Sequence, residues 1–207
     1  DAIKILKLLL DAGIQEQNIG ITGSLMLDTH NENSDVDIVI YGRELFFKIK
    51  KHIKVFIETS QLGSLSDSSW QDAYQRRDCS LSFEEYKFHE LRKFNKCMSG
   101  TSKVDISMIP EVYERYQENG PFKKHGQDKI AAIVTDDTYA FDFPARYFTD
   151  HKTISEVVSY TATYVGQARN GEKIEASGFI EQGGDGKKRL LVGTSREANN
   201  EYIRIFT

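Results

Sequence analysis

Apolar and polar residues alternate along this chain with two different periods, and the change from one to the other divides it. Residues 2–12 place Ile3, Leu6 and Leu10 at helical spacing, and Gly13 stands where such a helix stops. Residues 19–22 are short and apolar, the mark of a buried strand. Gly23 and Ser24 follow directly, and residues 25–27 open a short helix. Residues 29–34 are polar and turn-like. Residues 35–40 read DVDIVI, alternating first and then wholly apolar, as a strand entering the core of a sheet does. Gly42 ends that strand. A helix is expected over residues 43–51 and a further strand over 54–59. Residues 62–82 are polar and carry no clear period. Residues 83–98 predict a helix, with Ser82 as N-cap, Glu85 completing a capping box and Gly100 just past the end. Residues 103–109 read as another strand.

After about residue 133 the short period takes over. Residues 139–148, 154–165, 174–182, 188–193 and 202–206 are rich in Tyr, Phe, Val and Ile, and Gly, Asn and Asp turns separate them. Residues 169–173 and 182–188 look like hairpin turns. The expectation is therefore an α/β domain over 1–133 with a short mixed central sheet, followed by a small β-rich, barrel-like domain over 134–207.

Composition narrows the function classes. A chain of 207 residues with 39% hydrophobic content can bury one sizeable core or two small ones. A formal net charge of -4 argues against a protein coated in positive charge, such as a non-specific DNA packager. No segment approaches the roughly 18 continuous apolar residues of a membrane span, and no secretory signal is visible. Cys79 and Cys97 are far apart and form no CxxC pair, which suggests reduced thiols in a cytoplasmic protein.

The chemistry centres on carboxylates. Asp35 and Asp37 are two apart, so on a strand they share one face while Val36 and Ile38 point into the core. Two acids held together repel, and one takes up a proton unless a cation shares the site. Hard oxygen ligands suit Mg²⁺ or Mn²⁺. Asp105 sits in a second strand-like run; if the two strands are neighbours, three carboxylates converge. Gly23 lets backbone come close to a ligand, and Ser24 with a helix N-terminus offers donors to phosphate. Taken singly, each feature is also explained by an ordinary turn or a surface acid.

Together, Gly23-Ser24, the Asp35-Val36-Asp37 run and the later Asp105 resemble the polymerase-beta-like nucleotidyltransferase superfamily over roughly residues 14–110. Within it the chain is similar to a group of uncharacterised archaeal predicted nucleotidyltransferases. The resemblance implies a nucleotidyltransferase-like fold in which Asp35, Asp37 and Asp105 bind Mg²⁺ and act in catalysis. It also implies that Gly23 and Ser24 contact a nucleoside triphosphate such as ATP. The implied reaction moves a nucleoside monophosphate to a hydroxyl acceptor, RNA or protein among the options, and releases pyrophosphate.

Two basic regions add candidates. Arg92 and Lys93 on the expected 83–98 helix, with Arg76 and Arg77 upstream, are candidate phosphate contacts; a solvated helix face explains them as well. Past residue 134, Lys187, Lys188, Arg189 and Arg196 lie among Tyr147, Phe148, Tyr160, Tyr164 and Phe179. Such a domain binds an acceptor or a single strand by stacking, or uses its aromatics for its own core. The alternative to an enzyme is a nucleotide- or RNA-binding module of the same fold with little catalysis.

Overall fold

The computed structural model describes residues 1–27, 34–118, 120–195 and 198–206. Residues 29–33 of the expected polar turn, and Arg196, lie outside them. The chain gathers into two units. One comprises Asp1–Trp70 and Leu91–Arg115, the other Gln71–Glu90 and Tyr116–Thr207.

The first unit holds a mixed four-stranded sheet. Its strands are β1 (Ile19–Thr22), β2 (Val36–Tyr41), β3 (Lys96–Ser99) and β4 (Ser102–Ile109), in the order β1-β2-β4-β3. β2 and β4 run parallel; β1 and β3 join them antiparallel. Val36, Ile38, Val104, Ile106 and Cys97 are buried. Helix α1 (Ala2–Asp11) packs on β3 and buries Ile5 and Leu9. Helix α2 (Arg43–Glu58) packs on β2 and β4 and buries Phe46, Ile49, Ile53 and Phe56.

That last stripe explains a difference from the sequence reading. The strand expected over residues 54–59 is the final part of α2, because Phe56 continues the spacing set by Phe46, Ile49 and Ile53. The start of α2 is fixed from a distance. The Arg43 backbone N–H lies 3.1 and 2.9 Å from the two carboxylate oxygens of Glu114, so an acid satisfies the positive end of the helix.

Helix α3 (Asp67–Arg77) occupies part of the unassigned 62–82 stretch. Helix α4 (Phe83–Leu91) begins as expected: Glu85 N–H donates to Ser82 Oγ at 3.2 Å, and Ser82 N–H donates to Glu85 Oε2 at 2.8 Å. It ends at Leu91, not at residue 98. Residues 96–99 pair with β4 instead, and Gly100 turns a hairpin rather than closing a helix. Residues 23–27 form a turn, where a helix was expected to open.

The second unit is larger and β-rich. Its strands are β5 (Phe122–Asp136), β6 (Ala145–Thr149), β7 (Ile154–Ser159), β8 (Lys173–Gly183), β9 (Lys188–Val192) and β10 (Tyr202–Ile205). The order is β10-β8-β5-β6-β7-β9, and β9 pairs β8 as well as β7. Gly178 marks where β8 changes partner, from β10 on residues 174–177 to β9 on residues 179–182. A Cβ there would fall 2.1 Å from the Leu191 carbonyl oxygen, so only glycine lets the strands come this close. The boundary read at residue 133 lies within β5.

Two of the five C-terminal aromatics are core residues. Tyr147 is fully buried; its hydroxyl donates to the Tyr164 carbonyl at 2.5 Å and accepts from the Gln167 N–H at 2.8 Å. Arg189 is also internal. It belongs to a charge chain running Glu156, Arg146, Glu118, Arg189, Glu181. The Tyr116 ring lies 4.2 Å from the Arg146 guanidinium, and the Phe122 ring 3.4 Å from that of Arg189.

Two outcomes follow for stability. Tyr147→Phe leaves a buried N–H and a buried carbonyl short of a partner. It should cost about 1–3 kcal/mol in urea unfolding; a change within error would contradict the assigned hydrogen bonds. Burial alone would raise the Glu118 carboxyl, but hydrogen bonds from Arg189 and Arg146 hold it below the ordinary value. The resulting stabilisation is present above the unfolded-state pKa of about 4.3. It is lost as pH falls through the lower folded value. The urea midpoint should therefore drop more steeply below about pH 4 in wild type than in Glu118→Gln.

Candidate functional site

The registers of the four-stranded sheet put one residue from each strand in a single row. Thr22 pairs with Asp37, Asp37 with Asp105, and Asp105 with Lys96. Residues paired in register share a face. The row therefore reads Thr, Asp, Asp, Lys. The neighbouring rows, Val36 with Val104 and Ile38 with Ile106, are buried.

Asp35 immediately precedes β2. Asp35, Asp37 and Asp105 are each partly exposed. The Asp37 carboxyl is raised above its ordinary range, first by burial, then by the negative charges of Asp105 and Asp35. The three acids thus act on one another as the sequence led one to expect. Among the described residues, no group of three His, Cys, Asp or Glu side chains is placed to hold a metal ion.

Gly23 backs directly onto this row. Its φ is +68°, and a Cβ built there would fall 2.2 Å from Asp37 Oδ2. Only glycine permits both this backbone conformation and this approach to the carboxylate. Ser24 follows in the same turn and is partly exposed.

Lys96 was read from sequence as part of a basic helix, not of the site. Its Nζ lies 3.9 Å from Asp105 Oδ2, and its side chain is only 17% exposed. The signal that could have found it is the strand run 103–109 preceded by Ser99-Gly100, which is a hairpin pattern reaching back to Lys96. Cys97, next to it, is buried, and its thiol is pushed up to about 12 by burial and the Asp105 charge, so it is an inert packing residue.

The other basic candidates scatter. Arg92 is partly exposed, whereas Lys93 is 3% exposed. Both follow α4 and belong to the first unit. Arg76 and Arg77 end α3 in the second unit, and Arg76 pairs with Asp72 at 3.0 Å.

Residues 3–94 match the family model of the nucleotidyltransferase domain. The chain thus carries a nucleotidyltransferase-type domain, and the matched stretch includes Gly23, Ser24, Asp35 and Asp37 while ending before Lys96 and Asp105. The chain is also 40% identical to the uncharacterized protein MJ1086 of the archaeon Methanocaldococcus jannaschii, over 98% of this chain. It spans 63% of the length of that curated relative. No solved structure matches it. Among the described residues, no helix is long and apolar enough to cross a membrane.

Gly23→Ala should both strain the turn and push the Asp37 carboxylate aside. A left-handed alanine costs about 1–2 kcal/mol, and the displaced acid adds to that. Thermal unfolding of the purified variant checks it: an unchanged melting temperature would mean that Gly23 does not sit against Asp37.

Proposed function

We propose that the first unit transfers a nucleoside monophosphate from a nucleoside triphosphate to a hydroxyl acceptor and releases pyrophosphate. The observation that carries this reading is the in-register pairing of Asp37 with Asp105, backed by Gly23. An inert sheet would gain nothing from two acids side by side; like charges directly opposite are destabilising.

The donor set fits Mg²⁺ or Mn²⁺. It is made of hard carboxylate oxygens, and the negative charge that Asp105 and Asp35 impose on Asp37 is what a divalent cation would neutralise. Asp35, Asp37 and Asp105 would hold the ion. Bound there, it would offset the charge of the triphosphate and polarise the acceptor hydroxyl.

The chain's own residues then divide the work. The open turn at Gly23 and Ser24 binds the triphosphate through backbone N–H groups and the serine hydroxyl. Asp105, on the third carboxylate position, lies nearest the acceptor hydroxyl and takes up its proton. Lys96 beside it holds the Asp105 carboxylate in place and balances its charge. Arg92 is the stronger phosphate contact of its pair, because Lys93 is buried. The second unit binds the acceptor, with RNA, a protein side chain and a small hydroxyl compound as the options. A reducing, cytoplasmic setting accords with two free cysteines.

The test is incubation with radiolabelled triphosphates, Mg²⁺ and each acceptor class. Wild type should form a labelled adduct with release of pyrophosphate. Asp37→Asn and Asp105→Asn should each lower the rate by about a hundredfold or more. Full activity in both variants would remove the site assignment. Labelled nucleotide released without an adduct would point to hydrolysis. Binding of nucleotide or RNA with no product would leave a binding module of the same fold.

A further inference from the structure

A second concentration of chemistry lies in the β-rich unit, away from the carboxylate row in sequence. β7 and β9 are parallel neighbours, with Ile154 paired to Lys188. Parallel strands start at the same end, so the turn leading into β7 and the turn leading into β9 lie side by side. Between them is a cavity of about 380 Å³, lined by His151, Lys152, Thr153, Ser155, Lys187 and Lys188 among others. Its size falls at the lower end of small-ligand pockets, roughly 300–1,000 Å³.

The lining is cationic and rich in donors. Three lysines contribute and no carboxylate does, in a chain whose net charge is -4. The nearby Asp185 carboxylate pairs with Lys187 at 3.7 Å, leaving the other lysines in excess. His151 has a fixed tautomer. Its Nδ1 accepts the backbone N–H of Ile154 at 3.1 Å and that of Thr153 at 3.4 Å. The ring proton of the neutral side chain is therefore on Nε2, and the histidine is a donor without being charged. Thr153 and Ser155 add hydroxyls. Ammonium groups, a ring N–H and hydroxyls together form a site for phosphate oxygens.

We propose that this cavity binds a phosphate of a nucleotide unit, carried on a single-stranded nucleic acid. A recess between two turns admits one backbone phosphate and its sugar from a flexible strand, whereas a duplex presents its phosphates on a rigid, wide cylinder. The same chemistry would take the phosphate of a free nucleotide, so the test separates the two sources. Binding is read here without any transfer step. Loss of the transferase reading therefore leaves this result standing, and the reverse holds too.

The experiment measures binding of a labelled oligouridylate of about ten nucleotides by fluorescence anisotropy across a salt series. Uridine monophosphate and inorganic phosphate are titrated as competitors. The chain combining Lys152→Ala, Lys187→Ala and Lys188→Ala should bind the oligonucleotide about tenfold or more weakly, and its salt slope should shrink by about 2 if three phosphate contacts are lost. Arginine at the same three positions should restore binding, and Lys173→Ala, on an exposed lysine elsewhere in the unit, should change it little. Circular dichroism confirms that the variants fold. Competition by uridine monophosphate with the same lysine dependence supports the cavity with a free nucleotide as its source. No binding by any of the three probes overturns the proposal. So does equal binding by the alanine variant, or an equal loss in Lys173→Ala.

Discussion

The register between β2 and β4 is the constraint on which the first unit turns. A shift by one residue would exchange the two faces of a strand. It would send Ile38 or Ile106 to the open face and bring Asp37 or Asp105 into the core. Burying each isoleucine contributes about 1.5–3 kcal/mol, so the apolar rows hold the register firmly. The acidic row is carried along with them. Two like charges opposite one another oppose the pairing by about 0.2–1 kcal/mol, which the buried rows easily exceed. Hydrophobic burial thus holds together two acids that electrostatics would separate. The crossover helix α2, capped by Glu114 and packed on both strands, keeps the parallel pair joined.

How much of this could be read from the chain depended on whether a signal was local. The run at 35–40, the strand near 103–109 and the capping box of Ser82 and Glu85 are local patterns, and the structure carries them where the residues place them. The acids of the row were legible for the same reason. Lys96 was not, because its place is decided by a partner strand. Residues 83–98 keep helical composition throughout, but β4 offers residues 96–99 a ladder, and pairing overrides propensity. The missed β5 has a related cause. Its first half is largely exposed and polar, and burial begins to alternate only at Ile130. The order of the β-rich strands, with β9 returning to β8, depends on contacts that no window of sequence contains.

The second unit also revises what its charged and aromatic residues mean. Tyr147 and Tyr164 read equally well as stacking platforms or as core, and both are buried. Arg189 looked like part of one basic patch with Lys187 and Lys188. The alternation of β9 separates them, with Arg189 turned inward to Glu118 and Glu181 while Lys187 and Lys188 stay exposed. One run of cations thus divides into an internal strut and an external surface, by the period of a strand alone.

The two units handle acids in opposite ways, and that contrast separates structural charge from functional charge. In the β-rich unit, Glu118 meets two arginines, and they bring its carboxyl below the ordinary range despite burial. The ionised form is what the fold wants there, and the chain supplies its own cations. Asp37 goes the other way: burial and two neighbouring acids raise it, so its surroundings disfavour the charge it carries at neutral pH. Lys96 stands on the far side of Asp105 and meets that acid, not Asp37, in the row. A protein able to build the Glu118 arrangement has no structural need for the Asp37 one. Local costs of this kind persist where function requires them. Since the missing element is positive charge facing carboxylate oxygens beside an open glycine turn, the arrangement fits a site completed by a cation and a phosphate-bearing substrate.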